Sequence, residues 1–155
     1  IEISGGNYEN PSMVGDGVKA STLKREAYFL DYAEKAQSLL QVPLVMTGGF
    51  RSAPAMDAAL KSGAVDMIGL ARPLTVDPHF SAKLLANDEH RITLKKLTTG
   101  FSRLDFLVFL DVTWYQQQME LIAQGKSTNP NSSAWISVLK TFAALGKHVF
   151  QRRRA

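Results

Sequence analysis

The apolar positions change rhythm repeatedly along the first half of the chain. Ile1-Glu2-Ile3-Ser4 reads as a short strand, stopped by Gly5-Gly6. A polar loop follows from Asn7 to Ser21, holding Pro11, Gly15 and Gly17. From Leu23 the spacing turns helical, with Leu23, Ala27, Leu30, Ala33 and Leu40 near one face. Val42-Pro43 restarts an extended run, Leu44 to Thr47, whose unbroken apolar character suits a parallel sheet covered on both sides. Gly48-Gly49 ends that strand. Ser52 is placed to cap the next helix, Pro54 fits its first turn, Met56, Ala59 and Leu60 face inward, and Gly63 stops it. Val65 to Leu70 is the next strand, and Asp77-Pro78 opens a helix through Leu85. Strands alternating with helices predict parallel pairing and right-handed crossovers, hence an α/β fold.

The second half lacks this alternation. From about Lys83 no stretch reads convincingly as a strand. Asp105 to Gln124 forms one long helical pattern with Phe106, Phe109, Leu110, Trp114, Leu121 and Ile122 as core candidates. Gly125-Lys126 and Asn129-Pro130-Asn131 break it, and Ser133 caps a last helix from Ala134 to Phe150. Trp114 and Trp135 are expected in the core. The chain divides on this basis into residues 1–82, strand-bearing, and residues 83–155, helical.

Composition narrows the chemistry. With 155 residues the chain can build a real core, and with no cysteine it has neither disulfides nor thiol catalysis. The net charge of +4 owes much to Arg152-Arg153-Arg154, read as a solvated tail, so no nucleic-acid partner is expected. The longest apolar run, Phe106 to Leu110, is far too short to cross a bilayer, and no targeting pattern is visible, so no membrane partner and a cytoplasmic location are expected. Opening at Ile1 inside a strand, without a lead-in, the chain is expected to be the tail of a longer polypeptide.

Candidate chemistry concentrates between Val42 and Pro78. Two successive strands each end in a turn built from small residues and an arginine: Gly48-Gly49 with Arg51, and Ala71 with Arg72. Neighbouring parallel strands place such turns side by side at their carboxyl ends. Backbone amides that a ligand oxygen can approach, joined by guanidinium groups, suit a phosphate. Alternatively the glycines only turn the chain and the arginines pair with Asp57, Asp66 or Asp77. A single turn favours that plainer reading; two turns on successive strands favour phosphate. His79, His90 and His148 do not join the motif, and Asp77 suits a cap better than an acid–base pair with Asp66.

The strings TGGFRS at Thr47 to Ser52 and VDMIGLARPLTVDP at Val65 to Pro78 closely resemble the Old Yellow Enzyme family, FMN-dependent NADH:flavin oxidoreductases and NADH oxidases. Ile3-Ser4-Gly5-Gly6 with Tyr8-Glu9-Asn10-Pro11 resembles that family's sixth-strand end and loop, and Trp114-Tyr115 through Gly125-Lys126 its C-terminal helix. The resemblance implies the last three βα units of a TIM (β/α)8 barrel, an incomplete barrel over residues 1–82, followed by a helical C-terminal extension over 83–155. It also implies that Gly48, Gly49, Phe50 and Arg51, with Ala71 and Arg72, hold the FMN phosphate, Ala71 standing where the family often has glycine. Phe50 and Arg51 are placed near the flavin edge, and Tyr8 on a loop over the barrel mouth. The family's proton-donating tyrosine and its histidine or histidine–asparagine pair lie on earlier strands, so no catalytic residue is expected in this segment and the segment alone is expected to be inactive. The implied reaction moves hydride from NADH or NADPH through FMN to a small-molecule acceptor such as an activated alkene. Other readings are a different phosphate- or FMN-binding barrel enzyme, of the dihydroorotate dehydrogenase type, or a folded fragment with no ligand. Three barrel strands leave open edges, so self-association, through those edges or the C-terminal helices, is expected.

Overall fold

The computed structural model describes residues 1–4 and 30–150, the last four of these in backbone only. The loop from Asn7 to Ser21, Tyr8 within it, and the start of the helix expected from Leu23 lie outside the described residues. By contact the chain forms two compact units, Ile1–Leu94 and Lys95–Ala155. Composition places the change near Lys83; contacts place it some residues later, because the segment after the fourth helix packs with the first unit.

The described residues of the first unit include a parallel sheet of three strands, β1 (Glu2–Ser4), β2 (Val45–Thr47) and β3 (Met67–Gly69), in the order β1-β2-β3. Helices α1 (Leu30–Gln37) and α2 (Ala53–Lys61) lie between them in sequence, and α3 (Arg72–Val76) and α4 (Phe80–Ala86) follow. Glu2, Val45 and Met67 share one register row, and Ser4, Thr47 and Gly69 another. The turns after β2 and β3 therefore leave the sheet at the same level. Leu44, Met46 and Phe50 are fully buried and cluster with Ala33, Ala59 and Val65. The start of β3 is fastened to β2 by the Asp66 carboxylate, which accepts the Leu44 amide at 2.7 Å, while the Asp66 amide donates to the Leu44 carbonyl at 2.8 Å.

Several local expectations meet this unit directly. Ser52 stands at the α2 N-cap position with an extended backbone, but its hydroxyl makes no capping hydrogen bond there; Pro54 occupies the first turn. Gly63 ends the helix at φ 73°, and its amide donates to the Leu60 carbonyl. Leu60 itself, expected inside, is 40% exposed, whereas Ala59 beside it is buried. Helical geometry turns consecutive residues apart, so only one of the two reaches the sheet. Asp77 closes α3 and caps the turn into α4, its carboxylate accepting the His79 amide at 3.1 Å; α4 itself begins at Phe80.

The described residues of the second unit form three helices, α5 (Ser102–Leu107), α6 (Leu110–Ala123) and α7 (Ala134–Phe150). The single helix expected from Asp105 to Gln124 is in fact two, broken at Phe109, which adopts a left-handed backbone (φ 46°, ψ 54°). The reason lies in the core. Val108 and Leu110 are both buried with Ala134 and Val138. Residues two apart on one helix point to opposite sides, so both can join one cluster only if the chain turns between them. The turn leaves Phe106 and Phe109 outside, 75% and 58% exposed, rather than in the core. Asp105 anchors the start of α5: its carboxylate accepts the hydroxyls of Thr98 and Thr99 and the Thr99 amide. Trp114 is buried as expected, its indole N–H donating to the Ser132 carbonyl, and the Gln118 amide oxygen accepts the Asn129 amide. These bonds fold the Asn129 loop back on α6 and launch α7, where the Ser133 hydroxyl accepts the Trp135 amide as an N-cap. Trp135, expected in the core, is 46% exposed.

Candidate functional site

The aligned strand ends define the site. Gly48 and Gly49 follow β2 with φ of 134° and 92°, values open to glycine and strained for any residue with a Cβ. Across the sheet, Gly69 ends β3 directly opposite Thr47. A Cβ at Gly69 would fall 1.7 Å from the Thr47 hydroxyl, so only glycine lets the two strand ends approach this closely. That hydroxyl donates to the Glu2 carboxylate at 2.7 Å, a diagonal tie from β2 to β1. Beyond Gly69 the chain bends at Ala71 (φ −117°, ψ −84°), and the Ala71 carbonyl starts α3 by accepting the Leu74 amide.

Between the two turns lies an open hollow of about 40 Å³, lined on one side by Thr47 to Arg51 and on the other by Gly69 to Pro73. That is room for a few water-sized groups. All six residues expected to hold a phosphate line it: Gly48, Gly49, Phe50, Arg51, Ala71 and Arg72. Phe50 does so while fully buried in the core of the first unit, and the two arginines are half-buried. The Arg51 guanidinium also donates to the Phe50 carbonyl. A brace with no periodic signature in the chain supports the turn. The Ile92 amide donates to the Arg51 carbonyl at 3.0 Å, and Ser52 and Arg91 form an antiparallel bridge. Neither residue belongs to a periodic strand, so only the fold reveals the pairing.

The carboxylates offered as alternative partners for the arginines have other bonds. Asp57 pairs with Lys61 at 2.9 Å, Asp66 accepts the Leu44 amide, and Asp77 pairs with Lys83 at 2.6 Å. Partial burial pushes the Asp77 carboxyl up, but the Lys83 hydrogen bond, the His79 amide and the neighbouring positive charges outweigh it and hold it below the ordinary carboxylate value. His79 is exposed, and the His90 ring sits 5.6 Å from Phe80; neither lines the hollow. Among the described residues no group of three or more His, Asp or Glu could hold a metal ion.

No protein-family model matches the chain. Curated proteins do. An NADH-dependent flavin oxidoreductase of Talaromyces variabilis is 48% identical over 94 residues, which cover 57% of this chain and 23% of that protein. One of Hypocrea jecorina is 40% identical over 94 residues with the same coverage, and one of Aspergillus parasiticus is 38% identical over 86 residues, 55% of this chain and 19% of that protein. The chain thus spans less than a quarter of the length of the curated relatives it matches. Over rather more than half its own length, this chain is homologous to NADH-dependent flavin oxidoreductases.

Proposed function

We propose that the chain carries the phosphate-binding part of an FMN-dependent NAD(P)H oxidoreductase of the Old Yellow Enzyme type, and that its first unit is the last three βα units of a (β/α)8 barrel. The observation that carries this reading is the shared hollow: two positive-φ glycines and two arginines, from the ends of adjacent parallel strands, line one space. In such barrels the loops after the last strands are the usual phosphate site. The residues suit a phosphate on chemical grounds. Glycines let an oxygen approach the backbone closely, and guanidinium groups supply charge-assisted hydrogen bonds. Gly48, Gly49 and Ala71 would offer backbone, and Arg51 and Arg72 charge, to the phosphate end of FMN.

Bound flavin supplies hydride transfer between a nicotinamide and an acceptor; the protein supplies position and electrostatics. The role of these residues is anchoring. A phosphate held by turns on a rigid sheet fixes where the rest of the nucleotide lies. No proton donor or substrate-binding group is assigned to the segment. The names of the relatives and the pairing of GGFRS with GLARP favour this reading over a dihydroorotate dehydrogenase-type enzyme or a fragment without ligand.

Titration of the chain with FMN, followed by flavin fluorescence, tests the anchor. Saturable binding that weakens in Arg72→Ala supports it; absence of binding in a folded chain removes it. Alkene-dependent NADH oxidation by the whole protein separates the two flavoenzyme readings.

A further inference from the structure

The turn that carries Arg51 is held by residues far along the chain. Two positive-φ glycines, the most permissive residues for backbone rotation, stand before it. Phe50 fastens the turn inward by its burial. After Arg51 the chain must enter α2, and Ser52 is extended there (φ −143°, ψ 150°) with no capping hydrogen bond from its hydroxyl. Its backbone pairing comes from beyond α4. The Ile92 amide donates to the Arg51 carbonyl at 3.0 Å, and Arg91 forms an antiparallel bridge with Ser52. That segment is itself tethered. Asn87 ends α4 in a tight turn: its side-chain oxygen accepts the Glu89 amide and its carbonyl the His90 amide, both at 3.0 Å. The half-buried His90 then sets its ring 5.6 Å from that of Phe80, which is fully buried. None of Phe80, His90, Arg91 and Ile92 lines the hollow.

We propose, resting on the phosphate reading of the hollow, that Ile92 is a positioning residue for it: the Ile92 backbone N–H, carried on the segment His90–Ile92, aims Arg51 at the phosphate of FMN. The connectivity gives this contact its reach. The chain that leaves one wall of the hollow at Arg72 returns, through α3 and α4, to hold the other wall at Arg51. The two arginines are thus tied to each other by structure that touches neither side of the space between them. Peptide units are planar, so a hydrogen bond on the Arg51 carbonyl restricts the rotation that sets where the Arg51 side chain leaves the backbone. A loop arginine that ordered itself only on the ligand would lose conformational freedom at binding; one already held loses less. Charge-assisted bonds from a guanidinium are directional, and a misplacement of about 1 Å is enough to weaken them.

The test is FMN titration of the full 155-residue chain, read by flavin fluorescence. Ile92→Pro removes the donor while suiting the extended Arg91 before it. It should raise the Kd about three- to tenfold, the usual effect of losing one hydrogen bond. Ile92→Val keeps the N–H and should stay within about twofold of the unaltered chain. His90→Ala leaves every N–H in place but loosens the segment from Phe80; it should act in the same direction, more weakly, and replaces Ile92→Pro if that variant does not fold. Coupling to Arg51 separates positioning from general support. In an Arg51→Ala background the further loss should vanish, whereas in an Arg72→Ala background it should persist. Equal losses in both backgrounds, or unchanged affinity in the folded variant, overturn the positioning role and leave the phosphate reading standing. A folded, unaltered chain that binds no FMN overturns both.

Discussion

The chain takes a left-handed backbone at two structurally important places, and they are written very differently. After β2 the bend is made by Gly48 and Gly49, for which positive φ carries no steric penalty. Between α5 and α6 it is made by Phe109, for which it does. The first bend shapes a hollow; the second lets Val108 and Leu110 share one core. A bend at glycine is a property of the local sequence. A bend at phenylalanine is imposed by packing around it, and the burial of its neighbours must offset the strain.

The sharpest way to break the contrast is at the ligand. If the glycine bend is a binding feature, Arg72→Ala should weaken FMN affinity by about 10- to 100-fold, the effect of a lost charge-assisted hydrogen bond, with little change in melting temperature. Equal loss of stability and affinity would make the arginine structural. Next in size, Gly69→Ala should destabilise the first unit by about 1–3 kcal/mol in urea unfolding, because its methyl meets the Thr47 side chain. Combining it with Thr47→Ala should recover part of the loss, which a double-mutant cycle would measure. At the other bend, Phe109→Asn should stabilise the chain by about 1 kcal/mol, since asparagine tolerates the left-handed region. A loss instead would mean that the Phe106 contact, 5.8 Å between ring centres, outweighs the strain.

The smallest effect is on pH. Burial raises the Asp105 carboxyl, but the Thr99 and Thr98 hydroxyls and the Thr99 amide lower it further, and Asp77 is likewise lowered. A carboxyl held below its unfolded value of 3.8 adds stability at every pH above that value, and the gain disappears as pH falls through the folded value. Acid unfolding of Asp105→Asn should therefore lose part of the pH dependence below about 4, while its stability near neutrality drops.

What could be read in the sequence follows the same division. The strands around Met46 and Ile68, their parallel order, the stop at Gly63 and the cap at Ser133 are local signals of period, glycine and hydroxyl, and the fold matches them. So is the bringing together of the six turn residues, which follows from two adjacent strands ending in similar motifs. The break at Phe109 was not legible, because helical spacing continues through it and only the demand of Val108 and Leu110 for one cluster interrupts it. Trp135 misled for a related reason: its spacing suits a core, but α7 turns Ala134 and Val138 inward instead. The brace at Arg91 and Ile92 gave no periodic signal at all.

That brace has a consequence for biosynthesis. The loop bearing Arg51 receives backbone support from a segment emerging from the ribosome much later, after β3, α3 and α4. A nascent polypeptide halted before Arg91 would contain every residue that lines the hollow yet lack the clasp behind it. Maturation of the pocket is thus coupled to translation beyond the last residue that a ligand would touch.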